Sequence, residues 1–167
     1  MESTFKWRDE WLLGIPALDN QHRTLADCLS RLVTECTQLH GHNGNGNGSE
    51  IDADGKQELM KLLEELCART RAHFSIEEDM MLTANYPRYA DHRREHLMLL
   101  AELTSTFAAP IRDGRCNMNP ETLRALKSWF IVHVAHSDRQ FANWLKKDSH
   151  AAAQDRTGSE SGDNVLY

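Results

Sequence analysis

Seven side chains could together build a metal site, and all seven carry nitrogen or oxygen donor atoms. They are His22, His73, Glu77, His92, His96, His133 and Asp138. Two pairs, His73 with Glu77 and His92 with His96, are four residues apart, and residues at that spacing are neighbours on one face of an α-helix. Imidazole and carboxylate groups are typical ligands of first-row transition metals. We therefore predict that the seven side chains ligate metal in the core.

The number of histidines favours a shared metal over ordinary packing. The chain has nine histidines among its 167 residues, and five of them lie on or beside apolar helical stripes. A buried imidazole is costly unless its nitrogens find partners, and one metal centre would provide a partner for every ring. Zinc sites usually close at four ligands, so this larger set indicates two ions, and imidazole with carboxylate suits iron.

The seventh ligand is not decided by spacing. Asp138 follows His133 after five residues, which places the two side chains about 140° apart around a regular helix. On that geometry His136 or Ser137 would be as good a partner for His133. The ferritin-like Glu-x-x-His motif is no guide, because no glutamate stands three residues before His73, His92, His96 or His133.

Apolar residues recur with helical period in four stretches, which predicts an all-α protein. We expect helices at about 19–38, 56–83, 88–107 and 119–147, joined as an up-down-up-down four-helix bundle. Asp19 or Asn20 is the expected cap of the first helix, and Pro120 favours the start of the fourth. Residues 1–18 carry two tryptophans without a sustained period, so we predict an N-terminal extended arm that packs aromatic side chains.

One domain, residues 1–148, is expected, because 167 residues suffice for a single core. Within it the Gly/Asn-rich segment 40–55 is predicted to be a flexible loop, and residues 149–167 a disordered tail. The four cysteines show no paired spacing and are expected to be reduced core residues. The net charge of −6 without a basic run gives no reason to expect nucleic acid or an anionic membrane. No stretch is apolar enough to span a membrane, so a cytoplasmic location is expected.

Four segments together resemble the hemerythrin family, in particular its single-domain bacterial members. They are residues 11–22 (Trp-Leu-Leu-Gly-Ile-Pro-Ala-Leu-Asp-Asn-Gln-His), 73–78 (His-Phe-Ser-Ile-Glu-Glu), 92–96 (His-Arg-Arg-Glu-His) and 129–138 (Trp-Phe-Ile-Val-His-Val-Ala-His-Ser-Asp). The resemblance covers about residues 7–145. It implies a non-haem centre of two iron ions, bridged by an oxo or hydroxo group, with O2 as its ligand.

The resemblance also implies a role for each site residue. His92, His96 and His133 would hold one iron, His22 and His73 the other, and Glu77 and Asp138 would bridge them, which selects Asp138 as the seventh ligand. The iron with two histidines would keep an open position for O2, in an apolar pocket. Trp129 and Leu25 are the predicted walls of that pocket, with Phe130 and Val134 as further candidates. Glu78 and His136 fall outside the predicted ligands.

The function that follows from the resemblance is reversible O2 binding, for carriage, storage or delivery to an oxygen-consuming enzyme. The protein is then not expected to be an enzyme. A second hypothesis is an oxygen or redox sensor that signals through a partner, with the 40–55 loop or the C-terminal Val165-Leu166-Tyr167 as contact surfaces. A third is a di-iron peroxidase, oxidase or nitric-oxide-handling enzyme.

Overall fold

A computed structural model describes residues 5–41, 53–113 and 120–148, and within these ranges the protein is helical without strands. Helix α1 is Pro16–Gly41 and helix α2 is Ala53–Thr83. Helix α3 covers 89–112 as Tyr89–Glu102, a π-helical segment Leu103–Ala108, and Ala109–Arg112. Helix α4 covers 120–148 as Pro120–His133, a π-helical segment Val134–Asp138, and residues 139–148. The predicted all-α four-helix bundle is confirmed.

Contacts between neighbouring helices show that they run antiparallel. Along α1 and α2, His22 lies beside His73 while Cys28, further along α1, lies beside the earlier residue Glu65. The same reversal holds between α3 and α4, where the Trp129 indole donates to the Leu99 carbonyl and the Ser137 hydroxyl to Glu95. Antiparallel packing of this kind brings the first half of α1 and α3 and the second half of α2 and α4 to one level of the bundle.

The start of α1 differs from the prediction, because neither Asp19 nor Asn20 caps it. The helix begins at Pro16, a position where proline loses nothing because the first N–H groups of a helix have no partner within it. The Asp19 carboxylate instead accepts hydrogen bonds from the backbone N–H groups of Leu13 at 2.7 Å and Gly14 at 3.0 Å. It therefore holds the incoming chain, where Gly14 takes a φ of 75° that favours glycine.

Two other predicted boundaries also move. Helix α3 does not close near residue 107 but continues to Arg112, passing Pro110 directly after its π-helical segment. The predicted 40–55 loop is shorter at both ends, since residues 40–41 belong to α1 and 53–55 to α2. The rest of that loop, and the predicted tail 149–167, lie outside the described residues.

Two apolar layers enclose a polar one. The larger layer contains side chains such as Leu29, Leu63 and Phe107, and the smaller one lies towards the opposite end with Leu18 and Phe141. The seven predicted ligands fall between these layers along every helix. The three cysteines in the described ranges are buried without a disulfide among them: Cys28, Cys36 and Cys67.

The N-terminal arm packs aromatic side chains over the bundle, as predicted, although it is not extended throughout, because Asp9–Trp11 form a 3-10 turn. Phe5 stacks on Trp11 with ring centroids 5.7 Å apart and meets Phe130 of α4 edge-on at 6.0 Å. Trp7 lies against the His22 ring at 6.1 Å. The arm therefore covers the polar layer on the α1 side. None of the helices in the described ranges combines the length and apolar character needed to cross a bilayer.

Candidate metal centre

All seven predicted ligands meet in the polar layer of the bundle. His22 comes from α1, His73 and Glu77 from α2, His92 and His96 from α3, and His133 and Asp138 from α4. None is more than 5% exposed. Their donor atoms form two groups, and within each group the atoms lie within 4.8 Å of one another. One group is Glu77, His92, His96, His133 and Asp138, and the other is His22, His73 and Asp138.

The two oxygens of Asp138 face different groups. Its Oδ1 lies 3.0 Å from the Nε2 of His133 and 3.2 Å from the Nε2 of His92. Its Oδ2 lies 3.1 Å from the Nε2 of His22 and 3.8 Å from the Nε2 of His73. A carboxylate arranged in this way can give one oxygen to each of two cations, which is the geometry of a bridging ligand.

Glu77 stands between the groups from the side of α2. Its Oε2 lies 3.3 Å from the Nε2 of His96 and 3.5 Å from that of His92, and 3.9 Å from that of His73. Glu77 and Asp138 are both fully buried. The layer therefore holds two carboxylates and five imidazoles with little contact with solvent.

The π-helical segment of α4 explains how Asp138 reaches the centre. A π turn contains one residue more than an α turn, so position i+5 returns to the face of position i. The segment Val134–Asp138 directly follows His133, and it brings the two side chains together. Of the alternatives left open by the spacing, Ser137 donates its hydroxyl to Glu95 at 2.6 Å and His136 is exposed. Sequence periodicity contains no signal for this turn.

Several inward atoms make no hydrogen bond although their neighbours are close. They are both oxygens of Glu77, both oxygens of Asp138, and the Nε2 atoms of His92, His96 and His133. The distances of 3.0–3.5 Å among them would suit hydrogen bonds, but the angles do not. Within each of the two groups the donor atoms lie within 4.8 Å of one another, so one cation could contact all of them. Buried polar atoms are nearly always satisfied, and cations within the two groups would satisfy this set at once. The mixed nitrogen and oxygen donors fit iron.

The outward nitrogens of three imidazoles are held by acceptors. The pairs, each from Nδ1 to an oxygen, are His73 with Gln21 at 3.0 Å, His96 with Glu78 at 2.9 Å, and His133 with Glu95 at 3.3 Å. Because an acceptor oxygen leaves the proton on Nδ1, the Nε2 lone pair faces the centre, as metal ligation requires. Gln21 and Glu95 were missed from the sequence. Each directly precedes a predicted ligand in the sequence. A polar residue beside an apolar helical stripe is ordinarily interpreted as solvent-exposed, so periodicity gave no reason to select either one.

Electrostatic interactions lower the pKa of both buried carboxylates and raise the pKa of two of the imidazoles, those of His92 and His133. Burial lowers the pKa of His133, but Asp138 and Glu95 outweigh it and raise that pKa to about 10. Burial also lowers the pKa of His92, but Asp138 and Glu77 outweigh this effect and raise that pKa to about 9. Burial raises the pKa of Asp138, yet the surrounding histidines, His133 above all, hold it well below its ordinary value. Positive charge is thus strongly favoured in this layer, and bound cations would replace the protons.

A small apolar cavity of about 10 Å³ lies beside the centre. Its lining is Leu25, Thr70, His73, Phe74, Leu99, Trp129, Phe130, His133 and Val134. The four predicted pocket walls (Leu25, Trp129, Phe130 and Val134) are all among these residues. The volume is close to the smallest that holds one water-sized molecule, about 10–15 Å³. Thr70, Phe74 and Leu99 also line the cavity and were not predicted as pocket walls.

Comparison with known proteins agrees with this arrangement. The family model of the hemerythrin HHE cation binding domain matches residues 13–145. The chain belongs to the hemerythrin family. Bacteriohemerythrin of Methylococcus capsulatus is 31% identical to the chain, over 76% of the chain and 85% of the relative. Bacteriohemerythrin of Clostridium acetobutylicum is 27% identical, over 82% of the chain and 98% of the relative.

The solved structures show the same fold. A crystal structure of wild-type hemerythrin aligns with a TM-score of 0.60 at 23% identity, covering 84% of the chain and 96% of that structure. Membership of the hemerythrin family, together with the buried donor groups, makes the chain a non-haem iron-binding protein whose function involves O2.

Proposed function

We propose that the protein binds O2 reversibly at two iron ions, bridged by an oxo or hydroxo group, for carriage, storage or delivery to an oxygen-consuming enzyme. The observation that carries the proposal is Asp138, which directs one oxygen into each of two groups of buried imidazoles. A single-ion site would leave one of those groups without a cation. Two ferrous ions would supply the reversible electron transfer that O2 binding requires.

The proposed ligands divide unequally between the ions. His92, His96 and His133 would hold one ion and His22 and His73 the other, with Glu77 and Asp138 shared between them. The group with two histidines has fewer side-chain donors, so its ion would keep a coordination position for a ligand. His73 of this group borders the apolar cavity, which supports the cavity as the place where O2 binds.

The chain's own residues would exclude water from that position. Leu25, Phe130 and Val134 present only carbon to the cavity, and each is at most 4% exposed. Trp129 uses its indole N–H on the Leu99 carbonyl at 3.1 Å. Dry, apolar surroundings of this kind disfavour the release of charged oxygen species into the cavity.

We propose a binding protein in preference to an enzyme, since the described cavity lining offers no acid or base beyond the proposed ligands. A di-iron oxidase or peroxidase would need a group that handles substrate protons. The sensor hypothesis rests on the 40–55 loop and the C-terminal residues, most of which lie outside the described ranges.

The test is an oxygenation cycle on purified protein. The protein is loaded with ferrous iron without oxygen, its iron content is measured, and its visible spectrum is followed as air is admitted and removed. Two irons per chain and a charge-transfer band that appears and disappears over several cycles would support the proposal. Failure to take up iron would overturn the site, and irreversible oxidation on the first exposure would favour an enzyme or a redox sensor.

A further inference from the structure

The Thr70 hydroxyl is a buried polar group without a partner. Thr70 lies in α2, one helical turn before His73, and is 1% exposed. Its Oγ1 makes no hydrogen bond, and the residue lines the cavity beside the centre. An unsatisfied buried hydroxyl in a native protein calls for an explanation, because such groups nearly always find an acceptor or donor.

Four other helical threonines of this chain behave differently. Thr24, Thr34, Thr37 and Thr104 each donate to the backbone carbonyl four residues earlier, at 2.7–3.0 Å. This is the ordinary use of a threonine hydroxyl inside a helix. Thr70 sits in a regular stretch of α2 and does not make that bond. Its hydroxyl therefore remains available to whatever occupies the cavity.

The remaining polar groups of the described cavity lining are already engaged. The Trp129 indole donates to Leu99, while the Nδ1 atoms of His73 and His133 contact Gln21 and Glu95. Their Nε2 atoms face the metal centre. Among the described lining residues, Thr70 is the one that carries a hydroxyl, and this hydroxyl has no hydrogen-bond partner of its own.

We propose that the Thr70 hydroxyl donates a hydrogen bond to the small ligand in the cavity and thereby determines which ligands bind well. This inference rests on the proposed function. It makes Thr70 a positioning residue that favours ligands with an electron-rich atom away from the metal, such as O2 or azide. A ligand of the same size without such an acceptor gains nothing from the hydroxyl.

Azide titration of the oxidised, iron-loaded protein tests the contact. Thr70→Val keeps the shape of the side chain and removes the hydroxyl, Thr70→Ala removes it by a second route, and Thr70→Ser retains it. We expect the first two to raise the azide Kd by roughly three- to tenfold, the size of a hydrogen bond, with Thr70→Ser near the wild-type Kd. Thr37→Val, which removes a threonine hydroxyl that is already bonded in α1, should leave the Kd unchanged.

The metal-free protein provides a second readout that does not depend on ligand binding. Removing a hydroxyl that has no partner should leave the urea midpoint of Thr70→Val equal to or above that of the wild type. Thr37→Val should have a lower midpoint because it loses a hydrogen bond to the Val33 carbonyl. A clear drop for Thr70→Val would mean that the hydroxyl has a structural partner, and the proposal would be wrong.

The outcomes also separate this inference from the function beneath it. A wild-type protein that takes up iron and azide, with the same azide Kd in both hydroxyl-free variants, would overturn the role of Thr70 alone. A wild-type protein that takes up neither iron nor azide would overturn the proposed function and this inference with it.

Discussion

Moving one carboxylate by a single position tests the π-helical segment of α4. The double variant Ser137→Asp with Asp138→Ser keeps the composition and net charge of the chain. In a regular α-helix the new site, four residues after His133, would face the centre and iron binding would survive. In the structure Ser137 points at Glu95, with its Oγ 2.6 Å from the Glu95 carboxylate. The relocated carboxylate would meet the like charge of Glu95, and both groups of imidazoles would lose the oxygen that Asp138 gives to each.

The size of the expected loss in iron affinity follows from the contacts of Asp138. Its two oxygens lie within 3.2 Å of three imidazole nitrogens, on His22, His92 and His133. Losing an outer partner of a metal ligand already costs about 10- to 100-fold in metal affinity, so losing this carboxylate should cost at least about 100-fold. A 100-fold loss of affinity corresponds to about 2.8 kcal/mol of metal-binding free energy. In a chain of this size about 1 kcal/mol moves the Tm by roughly 2–4 °C, which gives a shift of roughly 6–11 °C.

Thermal unfolding with and without excess ferrous iron, under anaerobic conditions, measures this effect. The quantity compared is the rise in Tm that iron produces, together with iron content per chain. The double variant and Asp138→Asn should both lose roughly 6–11 °C of that rise, while Asp79→Asn, at an exposed position of α2, should keep it. A double variant with the iron content and Tm rise of the wild type would refute the π-turn argument.

Three further outcomes are expected. His73→Ala should lower the iron content, while His136→Ala, at an exposed position, should not; equal losses in iron analysis would contradict the ligand assignment. The pKa values of His92 and His133 lie at about 9 and 10, above the unfolded value of about 6.5. The stability that these two histidines give the metal-free protein is therefore complete below about pH 6.5 and is lost as the pH rises to about 10. Iron affinity should increase over the same pH range, because only the neutral imidazole ligates metal. Urea midpoints of the metal-free protein and competition titrations with iron, each measured across this range, test the two trends. Leu25→Ala should lower the free energy of unfolding by about 2–5 kcal/mol and admit water to the cavity, so that the oxygenated spectrum decays faster than in the wild type.

Much of this molecule can be predicted from its sequence because helices have a fixed period. Apolar residues at that period predict the four helices of the bundle, and Pro120 marks the start of the fourth. The pairs His73–Glu77 and His92–His96 share a face for the same reason, and the pocket walls Leu25 and Trp129 follow from their places one turn from a histidine. The start of α1 was predicted wrongly because an aspartate can either cap a helix or accept hydrogen bonds from a preceding loop, and Asp19 does the latter.

Other features depend on which helices lie side by side. The acceptors Gln21 and Glu95 are polar residues of α1 and α3, and only the packing of α2 and α4 against them brings an imidazole Nδ1 within reach. The free hydroxyl of Thr70 is likewise visible only when its missing carbonyl bond and the cavity are seen together. Periodicity describes one helix at a time, so such contacts lie beyond it.

Asp138 shows most clearly what sequence periodicity cannot predict. Resemblance to a family selected it, but the geometry of a regular helix pointed equally to His136 or Ser137. The π-helical segment Val134–Asp138 adds one residue to a turn and places the carboxylate between the two groups of imidazoles. Sequence periodicity assumes 3.6 residues in every turn, and a single wider turn changes the face of everything after it. The sequence by itself therefore determined the helices and the donor types, and the tertiary structure decided which carboxylate joins the two halves of the centre.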